Sequence, residues 1–182
     1  LGGGTALQKA CGFEDSAEAM FQYLMASCGD GPDEAKLRLY CEGSVAHYDW
    51  LVAQGVPFKP VFYYGCSGEP PTDDGLVWSG SERAHPFCDV ATPAPRGHVP
   101  QMEHQAGPIL MRALLAAVER SAARVAADHR CVSLVRDADG AILGAIVESF
   151  GTERAIRARR GVVLATGGFI NNESMLAAHQ PL

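Results

Sequence analysis

Four groups of residues have the types and spacing to do chemistry. Gly2, Gly3, Gly4 and Thr5 open the chain as LGGGTALQ. Tyr63 and Tyr64 are adjacent phenols that could move a proton if their pKa were lowered, although a packed aromatic is the alternative reading of each. His98, in PRGHVPQ, has the ordinary pKa nearest neutrality and is the third acid/base candidate, within a loop shaped by Gly97 and Pro100. Thr166, Gly167 and Gly168 end the apolar run RGVVLATGGF, Arg160 to Phe169. Glycines at such a strand tip let the backbone run close to a cofactor, and their N–H groups can meet phosphate or ribose oxygens. Equally, the pair can make only a turn with positive φ.

Other chemistries lack support. The six cysteines include no pair with the two-to-four-residue gap of a zinc site, and reduced thiols are expected without a secretory signal. His98 and His104 flank a proline, so no helix sets them on one face as metal ligands. A net charge of −6, with 15 Lys and Arg spread thinly, weighs against nucleic-acid binding. No apolar run approaches the roughly 20 residues of a spanning helix. A hydrophobic content of 47% over 182 residues suffices for a core, and a soluble, cytoplasmic protein is expected. The opening LGGGTALQ, without an initiator Met, and the close AAHQPL, just past a helix start, predict a piece of a longer protein with poor stability alone.

The elements that must position these groups fall into a clear order. GFEDSAEAMFQYLMASCG predicts a helix capped by Asp15 or Ser16 and ended by Gly29, with Ala19, Met20, Tyr23, Leu24 and Ser27 on one face. A second helix starts near Pro32, Asp33 and Glu34, is expected to break or kink at Gly43-Ser44, and continues to Gly55. A short edge strand is expected in VPFKPVFYYG. The long Gly- and Pro-rich stretch that follows, up to Gln101, holds Trp78 and Phe87 and predicts an ordered loop rather than a disordered one. A helix from Gly107 comes next, then two strands joined at Asp139-Gly140 and a third with Ile156 inward. The run Val162 to Ala165 predicts a strand buried on both faces of a parallel sheet, and Asn171 or Asn172 caps a last helix. The fold class is therefore α/β, with a three-strand antiparallel excursion before the parallel strand. Ligands in such sheets sit beyond the carboxyl ends of the strands, where ATGG lies.

On these residues the chain resembles a known family. RGVVLATGGF, the unit GPILMRALLAAVERSAARVAADHRCVSLVRDADGAILGAIV and DWLVAQGVPF are similar to the FAD-binding family of fumarate reductase, urocanate reductase and 3-ketosteroid dehydrogenases. LGGGTALQKACGFED and PPTDDGL with APRGHVP resemble the branch that oxidises the Δ4(5α) bond of 3-ketosteroids. The resemblance implies part of a Rossmann-like FAD-binding domain with a β-meander insertion. Residues 1–101 would be a helical and loop segment near the flavin, and 102–182 the helix, meander and ATGG strand. The family's GxGxxG is absent here, and the catalytic tyrosines of the ketosteroid branch would lie beyond Leu182.

The resemblance also implies site residues. Ala165, Thr166 and Gly167 would approach the FAD, Cys131 would offer its backbone to the adenine, and Gly2, Gly3, Gly4 and Thr5 would run near the flavin ring. For Cys131 the alternative is a buried strand residue, and for the glycines a loose end. The implied activity is that of an FAD-dependent oxidoreductase passing hydride from a steroid-like substrate to flavin, with this piece inactive alone. A fumarate- or urocanate-type reductase is the enzymatic alternative. A non-catalytic α/β binding module, using Tyr63 to Phe87 as contact surface, is the other.

Overall fold

The computed structural model describes residues 1–66 and 68–180. They divide into two compact units, Leu1–Ala123 and Arg124–Leu182.

The first unit is built on helices α1 (Ala6–Ala10), α2 (Ala17–Ser27) and α3 (Glu34–Ala53). Helix α2 starts at Ser16, whose hydroxyl accepts the Ala19 N–H at 3.0 Å. That bond satisfies one of the orphan donors of the first turn. Ser16→Ala is expected to cost about 1 kcal/mol, seen as a lower denaturation midpoint of the intact protein. An unchanged midpoint would show that the cap carries no weight. Met20 and Phe21 of α2 pack with Cys41 of α3 in one buried cluster. Arg38 of α3 reaches back to Glu18 at 2.5 Å and lies over the Phe21 ring.

Helix α3 runs unbroken through Gly43 and Ser44, contrary to the expected kink. Gly43 faces open space, so its cost is only the roughly 1 kcal/mol of backbone entropy that glycine carries in a helix. The buried residues Cys41, Ser44, Tyr48 and Leu51 hold both sides of it in register. Pro32 lies outside the helix, and Asp33 caps it by accepting the Lys36 N–H at 3.1 Å.

The expected strand in 56–65 is reduced to a single bridge, Phe62 to Leu76, in parallel sense. The long Gly- and Pro-rich stretch is ordered, as the aromatics predicted, and it supplies much of the core. It forms β1 (Leu76–Val77), the short helix α4 (Phe87–Val90) and β2 (Gly97–His98), with β1 and β2 antiparallel. Leu76 is fully buried and joins Leu7, Tyr48 and Phe62 in one cluster, edged by Phe13, Phe58 and Trp78. Val77, Val99 and Ala106 make another, against which Tyr63 packs. The carboxylate of Glu82, buried in the loop, accepts from the Ser79 hydroxyl and from Gly80 N–H at 2.9 Å. Helix α5 (Gly107–Glu119), with proline in its first turn, completes this unit.

The second unit carries the expected meander, β3 (Arg130–Arg136), β4 (Ile142–Ser149) and β5 (Thr152–Arg157), in the order β3-β4-β5 and antiparallel throughout. The turn at Asp139-Gly140 is held by Asp137, whose carboxylate accepts the N–H groups of Asp139 and Ala141. Two expectations fail here. Ile156 is exposed rather than inward, and Val163 is 91% exposed. Residues 161–168 make no backbone hydrogen bond among the described residues, so Val162 to Ala165 is an extended segment and not a strand. A strand exists only through a ladder partner, and none of the described residues supplies one beside this run. Helix α6 (Glu173–His179) follows, capped by Asn172, which accepts the Met175 N–H.

Candidate functional site

The glycine loop at the start of the chain folds against the entry of α1. Thr5 caps that helix: its hydroxyl accepts the Gln8 N–H at 3.2 Å, and Gln8 Oε1 accepts the Thr5 N–H at 3.0 Å. This reciprocal capping box is legible as the spacing Thr5-x-x-Gln8. The remaining loop donors are also spoken for. Gly2 N–H donates to Ser44 Oγ at 2.9 Å, Gly3 N–H to Asp15 Oδ2 at 2.9 Å, and Gly4 N–H to Gln8 Oε1 at 3.0 Å. The loop is therefore preorganised by its own protein partners, and its N–H groups are not open donors for phosphate. Glycine is required at Gly4, whose φ is +96° and whose added Cβ would stand 2.8 Å from the Asp15 carbonyl oxygen.

Beneath the loop lies an ion pair that no local pattern announced. Arg96 Nε donates to Asp15 Oδ2 at 3.0 Å and Arg96 Nη2 to Asp15 Oδ1 at 2.7 Å, a two-point pairing of side chains only 4% and 0% exposed. Burial raises the Asp15 pKa, but hydrogen bonds from Arg96, Gln8 and Gly3 outweigh it and hold the carboxyl below its ordinary value. The Arg96 guanidinium carbon lies 5.3 Å from the centre of the Tyr23 ring.

His98 joins this network from β2. Its Nε2 is 2.7 Å from Thr5 Oγ1, and its Nδ1 is 3.0 Å from the Arg96 carbonyl oxygen. The ring sits against Tyr48 and Phe58, with centroids 5.3 and 6.4 Å away. Desolvation pushes the His98 pKa down to about 4, against the raising effect of the Arg96 carbonyl. The intrinsic value near neutrality that made His98 an acid/base candidate therefore does not survive burial. Tyr63 is half-buried against Val77, Val99 and Ala106, whereas Tyr64 is 89% exposed with its ring 4.8 Å from that of Phe62. Of the sequence candidates in this unit, the structure brings Thr5 and His98 together. It adds Gln8, Asp15, Ser44 and Arg96, which sequence reasoning did not place in a site; the Thr5-x-x-Gln8 spacing is a signal that could have found Gln8.

In the second unit, Cys131 is an exposed residue of β3 opposite Val147, not the buried residue weighed as the alternative. Ala165, Thr166 and Gly167 are exposed in the extended segment. Gly167 has φ +82° and no atom within 4 Å of where a Cβ would stand. Both the positive φ and an open backbone are present, and that combination suits close approach by a ligand. No group of three His, Cys, Asp or Glu side chains could hold a metal ion among the described residues. All six cysteines are free thiols. No helix among the described residues is long and apolar enough to cross a membrane.

Comparison with known proteins places this arrangement. The structure is similar to that of 3-ketosteroid-Δ4-(5α)-dehydrogenase from Rhodococcus jostii RHA1, solved with 4-androstene-3,17-dione: TM-score 0.94, 52% identity, 100% of this chain and 39% of that one. It is also similar to the open form of a flavocytochrome c3 fumarate reductase, at TM-score 0.75 and 27% identity over 99% of this chain and 28% of that one. Among curated proteins, a 3-oxosteroid 1-dehydrogenase of Comamonas testosteroni is 39% identical over 69 residues, 38% of this chain and 12% of its own length. The probable fumarate reductase Ifc3 of Shewanella frigidimarina is 26% identical over 98% of this chain and 26% of its own length. The chain thus spans about a quarter or less of these two curated relatives. Residues 2–181 match the FAD binding domain family. The chain belongs to that family.

Proposed function

We propose that this chain forms flavin-facing parts of an FAD-dependent oxidoreductase that dehydrogenates a 3-ketosteroid-like substrate. The observation that carries the substrate class is the 52% identity and TM-score of 0.94, over the whole chain, to a dehydrogenase solved with a steroid bound. The proposed cofactor contacts are Gly2, Gly3, Gly4 and Thr5 on the flavin side, Cys131 toward the adenine, and Ala165, Thr166 and Gly167 along the open segment. We read the extended Val162 to Ala165 run as a parallel strand of a Rossmann-like sheet that is completed by chain outside these residues.

The residues present fit the cofactor, with a division of labour. The backbone of 161–168 makes no hydrogen bond among the described residues and is largely exposed, so it can donate and accept toward FAD. The Gly2–Thr5 N–H groups are engaged internally, so that loop would meet the flavin with its shape and its carbonyl edges. FAD, when bound, supplies the hydride acceptor that no side chain can provide. Fumarate- or urocanate-type reduction is the second reading, favoured by matches over 98% and 96% of this chain at 26% and 25% identity.

The test uses the intact protein, reconstituted with FAD and held without oxygen. Bleaching of the flavin absorbance band by a ring-A-saturated 3-ketosteroid, and not by succinate, is the expected result. Rapid reoxidation of the reduced flavin by fumarate or urocanate would favour the second reading. A protein that stays colourless after reconstitution would overturn both.

A further inference from the structure

We infer that His98 is a positioning residue, the acceptor that fixes the Thr5 hydroxyl and, through Thr5 and Gln8, the conformation of the Gly2–Gly4 loop against FAD. This rests on the reading that the loop faces FAD. The argument is one of proton bookkeeping. The Arg96 carbonyl can only accept, so His98 Nδ1, 3.0 Å away, carries the ring proton. The neutral ring then has its lone pair on Nε2, and the Thr5 hydroxyl donates to it at 2.7 Å. The flanking Tyr48 and Phe58 rings hold the imidazole in that orientation. The charged groups that act on the His98 ring are the Leu1 α-amino group, which lowers its pKa, and Asp15, which raises it and is itself paired with Arg96.

Every other polarity in the hub follows. Gln8 Nε2 donates to Asp15 Oδ2 at 2.9 Å and to the Pro95 carbonyl at 2.8 Å, two acceptors that forbid the flipped amide. Gln8 Oε1 is therefore an acceptor facing the Gly4 and Thr5 N–H groups, each at 3.0 Å. The Thr5 hydroxyl has one proton and two acceptors within reach, His98 Nε2 at 2.7 Å and Gln8 Oε1 at 3.3 Å. With His98 present the proton goes to nitrogen, and Gln8 Oε1 serves its two amides undisturbed. Without the His98 lone pair the hydroxyl turns to Gln8 Oε1, which then has three donors for two lone pairs, and the loop loosens. Burial of the ring, which keeps it neutral at physiological pH, supports the same assignment.

FAD titration of the intact apoprotein, with fluorescence as readout, tests this. His98→Leu is expected to weaken FAD binding about tenfold, the size of one buried hydrogen bond lost, and Thr5→Val at least as much, since it also removes the acceptor of the Gln8 N–H. The double variant is expected to be no weaker than Thr5→Val alone, because that change already removes the bond to His98 along with the acceptor of the Gln8 N–H. Thr5→Ser keeps the hydroxyl and should stay within about twofold of wild type. Nitrogen-15 NMR of labelled histidine, assigned with His98→Gln, should show the Nδ1–H tautomer at neutral pH. Additive losses, a His98→Leu protein with wild-type FAD affinity, or the Nε2–H tautomer would overturn the inference. A wild-type protein that takes up no FAD would instead overturn the functional reading on which it rests.

Discussion

Replacing Arg96 by alanine is expected to destabilise the intact protein by about 3–5 kcal/mol, more than any surface pair could account for. The reason is the state in which the partner is left. The Asp15 side chain is fully buried and keeps its charge because the Arg96 guanidinium meets both of its carboxylate oxygens. Removing one member strands an ion in a medium that solvates it poorly. The remaining donors, Gln8 Nε2 at 2.9 Å and Gly3 N–H at 2.9 Å, cannot replace a full opposite charge. A paired change, Asp15→Asn with Arg96→Met, should recover much of the loss, because a buried pair is costly to break and often neutral to replace. Urea unfolding of the three proteins measures this. A cost below about 1 kcal/mol for Arg96→Ala would mean that the pair is solvated and behaves as a surface ion pair. The damage should also reach the glycine loop, since Asp15 accepts from Gly3 and the Arg96 side chain lies within 2.9 Å of where a Cβ on Gly2 would stand.

The second large effect is acid destabilisation through His98. In the unfolded chain this ring titrates near 6.5, while in the folded protein its value is pushed down to about 4. Between those values the unfolded state binds more protons, so stability rises with pH across the window and falls on acidification through it. The full effect is on the order of 3 kcal/mol, complete only near pH 4. Asp15 acts in a separate, lower window. Its folded value is depressed below the ordinary 3.8, so its contribution is present above that value and is lost only as pH falls further. Unfolding free energy measured from pH 7 to 4 in wild type and His98→Gln separates the two. The variant should lose most of the slope between pH 6.5 and 4 and keep the steeper loss below it. A wild-type profile flat down to pH 4 would show that His98 is protonated in the folded protein.

Much of the local structure was readable from single stretches. Ser16 caps α2, Pro108 lies in the first turn of α5, and Asp139-Gly140 turns the meander, because these effects act over two to four neighbouring residues. The aromatic content of the Gly- and Pro-rich stretch correctly pointed to order, since Leu76, Val77 and Val99 within it became core. Gly43-Ser44 misled because a helix break was inferred from propensity, and packing at Cys41, Tyr48 and Leu51 overrode it. Val162 to Ala165 misled in the other direction. Its apolar run marks a strand only when a neighbour supplies the ladder, and none of the described residues does so.

What the sequence determined by itself was therefore the main helices and the meander, a fold of mixed helix and sheet and, through the resemblance carried by RGVVLATGGF and LGGGTALQ, membership in the FAD binding domain family over residues 2–181. Only the tertiary structure decided the roles inside the candidate site. Asp15 and Arg96 are 81 residues apart and Thr5 and His98 are 93 apart, and no periodicity or motif connects such positions. Their meeting makes one of two candidate helix caps the buried partner of an arginine, and sets a candidate acid/base histidine against the Thr5 hydroxyl. The physical reason is burial: it sets which charges survive, which nitrogen keeps its proton and which loop donors remain open. Burial is a property of the packed chain and not of any one stretch of it.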